Sequence, residues 1–239
     1  MARAADILVK TLTEHGVDRA FCVPGESYLA VIDAMYDAPE IDVVTTRHEG
    51  GAGFMAVADA KMTGKPGIVM VSRGPGATNA SIGVHVAQQD AVPMVMFVGQ
   101  VAREDIGRNA FQEVDYSQTF GDMAKWIVEI PESDKIAENV RRAFTIAQSG
   151  IPGPVIVSLP EDMLLDQTDA PALGPTKIIQ PKPDAGDIVE LCDMLSAAER
   201  PVIIAGGQIG GERGREALRA VSESWNVPVA VSWRHQDLF

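Results

Sequence analysis

Six short apolar runs mark the first 160 residues, at 21–23, 43–45, 68–72, 94–98, 126–130 and 155–159. Each is rich in β-branched or aromatic side chains, and none alternates cleanly between polar and apolar positions. A strand with one wet face alternates, whereas a strand covered on both faces does not. Between the runs lie longer stretches with helical spacing, at 2–15, 27–36, 49–62, 77–89 and 134–149. Strand–helix–strand repetition with strands of this kind predicts an α/β fold: a doubly wound parallel sheet with helices on both faces.

The pattern breaks at 166–186, which reads DQTDAPALGPTKIIQPKPDAG and is rich in Pro and poor in periodicity. That is the composition of a linker. It then restarts with helices at 187–198 and 212–224 and strands at 201–205 and 228–232. Two strands and two helices are few for an independent α/β domain. The expected organisation is a first domain at 1–165, a linker at 166–185 and a truncated second α/β domain at 186–239, which makes the chain a fragment.

Composition narrows the function. The formal net charge of the 239 residues is −13, with no basic stripe, so nucleic acid is not an expected partner. No apolar run approaches the ~20 residues of a membrane helix, and no membrane partner is expected. The N-terminus MARAADILVKTLTEHGV has no apolar signal core, which points to the cytoplasm. Cys22 and Cys192 are far apart and read as reduced thiols, and His15, His48, His85 and His235 form no metal motif.

In open parallel sheets the chemistry sits in loops beyond the carboxyl ends of the strands. Four segments fall there: Val23-Pro24-Gly25-Glu26, Arg47-His48-Glu49-Gly50-Gly51-Ala52, Ser72-Arg73-Gly74-Pro75-Gly76-Ala77-Thr78-Asn79, and a long loop at 99–116 carrying Ala110-Phe111-Gln112-Glu113-Val114-Asp115. Singly they are ordinary. Pro-Gly after a strand is a turn, and Glu49 is an acid of a kind favoured in a helix's first turn. Gly74-Pro75-Gly76 fits a phosphate cradle or plain strand-to-helix geometry.

Taken together, VPGE, RHEGGA, GPGATN and AFQEVD, in this order, resemble the pyrimidine-binding domain of thiamine-diphosphate enzymes. The nearest resemblance is to acetolactate synthases and related 2-keto-acid decarboxylases and carboligases. It runs from about residue 4 to 164 and continues into a middle domain at ERPVIIAGGQIG and VPVAVSWR. The resemblance implies thiamine diphosphate as cofactor, a small-molecule 2-keto acid as substrate and a homo-oligomer, dimer or tetramer.

Thiamine acts through a carbanion at its thiazolium C2. Its aminopyrimidine can serve as the base only in the imino form, which needs an acid group on the far ring nitrogen. A carboxyl group able to share a proton suits that task. The resemblance gives the role to Glu49. It sets Pro24 and Gly25 in a turn close to the cofactor, and Pro75 and Asn79 against the aminopyrimidine. Phe111 and Gln112 come near the reacting carbon and substrate, with Gln112 counted as catalytic, and Lys125 stands at the mouth of the site.

Some residues depart from the acetolactate synthase pattern. Arg73 stands where a small residue is usual, Gly50 where many relatives have glutamine, and QTFGD at 118–122 lacks an Arg-Pro pair. The family holds the diphosphate through Mg²⁺ in a C-terminal domain. Gly121-Asp122-Met123 is the near match here and reads as a turn, so no metal ligand is expected in this chain. The resemblance leaves open whether the middle domain binds FAD. Alternatives within the superfamily are oxalyl-CoA decarboxylase, sulfoacetaldehyde acetyltransferase and arylketoacid decarboxylase or lyase. An alternative outside it is a non-catalytic nucleotide-binding or regulatory module built on the glycine run at 205–211.

Overall fold

The computed structural model describes residues 1–209 and 211–239 and divides into two compact units, Met1–Ile178 and Ile179–Phe239. The first unit carries a six-stranded parallel sheet. Its strands are β2 (Arg19–Cys22), β3 (Asp42–Thr45), β4 (Gly67–Val71), β5 (Met94–Gln100), β6 (Trp126–Glu129) and β7 (Pro154–Pro160), in the order β3-β2-β4-β5-β7-β6. Of the four inner strands, β4, β5 and β7 are buried at every residue and β2 at all but Arg19, whereas the edge strands β3 and β6 are partly exposed. That burial explains the unbroken apolar runs in the sequence.

Successive strand residues face opposite layers. Met70, Val95, Phe97, Val155 and Val157 pack under α1 (Ala4–Glu14), α2 (Leu29–Tyr36) and α6 (Ile136–Gln148). Val69, Val71, Met94, Met96 and Val98 pack under α3 (Glu49–Thr63), α4 (Pro75–Gln89) and the short α5 (Tyr116–Phe120). Each such side chain contributes roughly 1.5–3 kcal/mol by leaving water. This is the doubly wound α/β architecture expected from the sequence.

The elements differ from the sequence expectation at their ends. Ala2–Arg3 form a short strand, β1, paired antiparallel with β8 (Gln167–Thr168), so the first helix begins at Ala4. The helix expected from residue 27 opens as a 3-10 turn, Glu26–Tyr28, before α2. The helix expected from residue 77 begins at Pro75, because proline is favoured in a first turn where its missing N–H costs no bond. The loop expected at 99–116 ends in α5, capped by Asp115 through the amides of Ser117 and Gln118.

Residues 166–178, of linker composition, lie with the first unit. Thr168 is buried and Leu173 packs against the core of α1, α2 and α6. The second unit holds α7 (Ala185–Ala197), α8 (Glu212–Trp225) and the parallel pair β9 (Ile203–Ala205) and β10 (Val229–Val231), around a small cluster of Ala205, Leu218 and Leu238.

Candidate active site

The chain runs from β2 outward to β3 and then back past β2 to β4, so the loops leaving β2 and β4 part company at the carboxyl edge. Such a switch point opens a crevice. Glu49 borders it as the first residue of α3, whose N-cap His48 accepts the Gly50 N–H at Nδ1, 3.0 Å. Asn79, one turn into α4, donates Nδ2 to Glu49 Oε2 at 3.0 Å. The other oxygen, Oε1, has no hydrogen-bond partner among the described residues. It lies over Gly76, where an added Cβ would come within 3.4 Å of it. The structure thus brings Glu49, at the start of α3, to Asn79, one turn into α4, with Pro75 opening that same helix beside Gly76.

The walls of the crevice are held by polar contacts between loops. Gly25 lies so close to Ser72 that an added Cβ would meet the serine Cβ at 2.6 Å, which excludes any side chain at this position. Ser27 is fully buried. It shares a hydrogen bond with Ser72 Oγ at 2.9 Å and accepts the Arg73 N–H at 3.3 Å. Gly74 adopts φ +55°, and an added Cβ would reach the Gln112 carbonyl oxygen at 2.8 Å. Tyr116 donates to the Gly99 carbonyl at 3.1 Å and accepts the Gly74 N–H at 3.2 Å, and burial pushes its phenol up to about 12.

The 99–116 loop therefore rests on the start of α4 through Gln112, itself at φ +65°. Phe111 beside it is 78% exposed, and Pro24 is exposed on the opposite wall. Glu113 organises this loop by accepting the N–H groups of Gly107 and, at 3.1 Å, Ala110. The Gly107 bond comes first in holding its carboxyl below the usual range.

Lys125 is not brought to this cluster. It precedes β6 and so lies at the amino edge of the sheet, where its ammonium donates to the carbonyls of Ile146 and Ser149 at the end of α6. A lysine on the last carbonyls of a helix is a capping arrangement, and burial lowers its proton affinity. Gly121-Asp122-Met123 forms a turn after α5. Among the described residues, no three His, Cys, Asp or Glu side chains gather as a metal site. In the second unit Gly207 packs against the His235 ring, where an added Cβ would come within 2.5 Å. Gly210 of the same glycine run lies outside the described residues.

Ser27 and Tyr116 were not singled out in the sequence, and Ser72 entered only as the first residue of its segment. Only their neighbourhood could have flagged Ser27 and Tyr116, which follow the motif acids Glu26 and Asp115. Serine and tyrosine next to turns are otherwise common hydrogen-bonding residues.

A glutamate and an asparagine bonded to each other near the starts of two helices thus stand at the carboxyl edge of a doubly wound α/β domain. Residues 2–119 match the N-terminal TPP-binding domain of thiamine pyrophosphate enzymes, and residues 188–239 match their central domain. The chain belongs to the thiamine pyrophosphate enzyme family. Within it, the chain is similar to acetolactate synthases. It is 37% identical over 242 residues to the mitochondrial acetolactate synthase catalytic subunit of Aspergillus candidus, covering 95% of this chain and 35% of that protein. It is 35% identical over 238 residues to the isozyme 3 large subunit of Escherichia coli (97% and 42% covered) and 38% identical over 229 residues to the large subunit of Lactococcus lactis (94% and 40%). The chain spans between 35% and 42% of the length of the relatives it matches.

Proposed function

We propose that this chain supplies the aminopyrimidine half of a thiamine-diphosphate site in an acetolactate-synthase-like enzyme that decarboxylates a 2-keto acid and transfers the acyl unit. The observation that carries the reading is the state of the Glu49 carboxylate. Oε2 is fixed by Asn79, while Oε1 is left to share a proton with a ring nitrogen. When bound, thiamine diphosphate supplies an acidic thiazolium carbon and an electron sink.

The residues then divide the work. Glu49 holds or releases a proton at Oε1, Asn79 fixes its orientation, and Pro75 presents an apolar face. Gly25 lets backbone approach the head group where a side chain would obstruct. Gln112, held in place by its packing on Gly74, faces the reacting side of the site with Phe111, whose exposure suits contact with substrate or a second subunit. Lys125, at the far edge, is assigned no part in this half-site.

Mg²⁺ and the diphosphate are assigned to residues outside this chain, as the resemblance implies. The assembly proposed is a homo-oligomer. Phe54, Met55 and Ile82 are exposed on α3 and α4 beside Glu49, and apolar patches of this kind mark association surfaces. No helix among the described residues is long and apolar enough to cross a membrane, and the cytoplasm is the proposed location. FAD at the second unit is left open.

A ¹⁵N shift titration of the chain with thiamine diphosphate tests the reading. Shifts at Gly50, Gly74 and Asn79, saturating in roughly the millimolar range because only half of the contacts are present, and lost in Glu49→Ala, are expected. No shifts at these amides, or shifts that persist in Glu49→Ala, would overturn it.

A further inference from the structure

Arg73 is the least expected residue at the carboxyl edge. It directly precedes Gly74 yet is only 8% exposed. Its Nη2 donates to Glu26 Oε1 at 2.8 Å and its Nη1 to Glu161 Oε2 at 3.0 Å. Glu26 follows Gly25 in the turn after β2, and Glu161 follows the last residue of β7. One guanidinium thus ties together the loops leaving three strands. Its Nε is buried with no hydrogen-bond partner among the described residues.

That orphan donor bears on why the arginine is there. A buried donor without a partner is destabilising, and an ionic group in such a place is often replaced by an apolar side chain of similar size with no loss of stability. A methionine here would leave no orphan, and both carboxylates are exposed enough to turn to water once released. Stability alone therefore gives poor reason for arginine. Geometry gives a better one. The planar fork holds two carboxylates at set directions; Glu26 lies between Gly25 and Ser27, which wall the crevice, and Glu161 anchors the fork to the end of β7.

We propose that Arg73 is a positioning residue: clamped between Glu26 and Glu161, it fixes the separation of the turn at Gly25 from the turn at Gly74, and so the width of the crevice beside Glu49. The significance of that width rests on the cofactor reading above; the clamp itself does not. Arg73 touches no reacting atom in this scheme and acts through the two turns.

The test uses the whole chain without ligand. Thermal midpoints and amide hydrogen exchange are compared among wild type, Arg73→Met and the double variant Glu26→Gln/Glu161→Gln. Arg73→Met should keep the wild-type midpoint or exceed it. Exchange at the Gly74 and Tyr28 amides should rise tenfold or more in both variants, while the amides of β4 and β5 stay as protected as before. Wild-type exchange at Gly74 and Tyr28 in the variants would overturn the proposal. So would loss of the fold in both, since the cluster would then be a stability element. Titration with thiamine diphosphate adds a second arm, in which the dissociation constant rises about tenfold in Arg73→Met. Wild-type affinity in a variant whose turns have loosened overturns the link to the crevice. If wild type shows no titration shifts at all, the cofactor reading fails while the exchange result still decides the clamp.

Discussion

Asn79 reaches from α4 to α3 and donates its side-chain amide to Glu49, Nδ2 to Oε2 at 3.0 Å. The contact joins helices that begin after different strands and leaves the second carboxylate oxygen turned toward Gly76. Both residues are at least partly accessible. Asn79→Leu is therefore expected to change stability by less than about 0.5 kcal/mol, as surface substitutions do. It should nevertheless abolish the thiamine diphosphate shifts at Gly50. A urea melt combined with the shift titration checks both outcomes, and a stable variant that still gives those shifts would show that Asn79 does not orient Glu49.

Gly74 is the position where the backbone itself limits substitution. At φ +55° and ψ −110° a Cβ is strained, and it would also collide with the Gln112 carbonyl. Gly74→Ala should cost about 3 kcal/mol from the combined strain and overlap. The denaturant midpoint should fall accordingly. An unchanged midpoint would mean that the 99–116 loop yields freely, contrary to its packing on α4.

Glu113 holds the tip of that loop through the amides of Gly107 and Ala110, which keeps its carboxyl below the ordinary value of 4.5. A folded value below the unfolded one means that the charged form favours the ordered loop. The order is fully present above 4.5 and is lost as pH falls through the lowered value. Glu113→Ala should make the loop open to protease at neutral pH, with cleavage near Arg108, while the sheet stays intact. Resistance equal to that of wild type would rule out the anchor.

His15 carries the opposite kind of group. Burial, ahead of every other influence, pushes its imidazole below 6.5, with the nearby Arg141 acting the same way and the Thr11 carbonyl and Glu14 acting against. Nδ1 lies 2.8 Å from the Thr11 oxygen, so it holds the proton of the neutral ring, and Nε2 is buried with no partner among the described residues. The folded state disfavours the imidazolium. Stability is therefore complete above 6.5 and declines as pH is lowered below it. Urea midpoints measured from pH 8 to pH 5 should fall more steeply for wild type than for His15→Leu; parallel curves would sink the assignment.

Much of this architecture is legible in the sequence because burial leaves a plain mark. The runs at 68–72, 94–98 and 155–159 are apolar but for Ser72 and Ser158 because β4, β5 and β7 are covered on both faces. The motif order then sets Glu49, Pro75 and Asn79 after strands, at one edge. Lys125 could have been assigned to the other edge on the same ground, since it comes before the run at 126–130; the resemblance outweighed that order. The Arg73 clamp was not legible, because its partners lie 47 and 88 residues away in sequence. Neither was the β1–β8 pair, whose two-residue strands are too short for any periodicity to register.

That small pair has a consequence for how the first unit could be rewired. Ala2 faces Thr168 and Arg3 faces Gln167, and the Met1 amino group meets Asp169 at 3.1 Å. The opening residues of the unit and the close of its last strand thus lie side by side, so its path is nearly a ring. A short peptide bridge between them would close that ring at little entropic cost. New ends opened at the exposed Gly150–Ile151 turn, between α6 and β7, would interrupt neither the core nor the crevice. The unit has the geometry of a circularly permutable module, and a permutant begun at Ile151 would place the chain ends at the edge remote from Glu49.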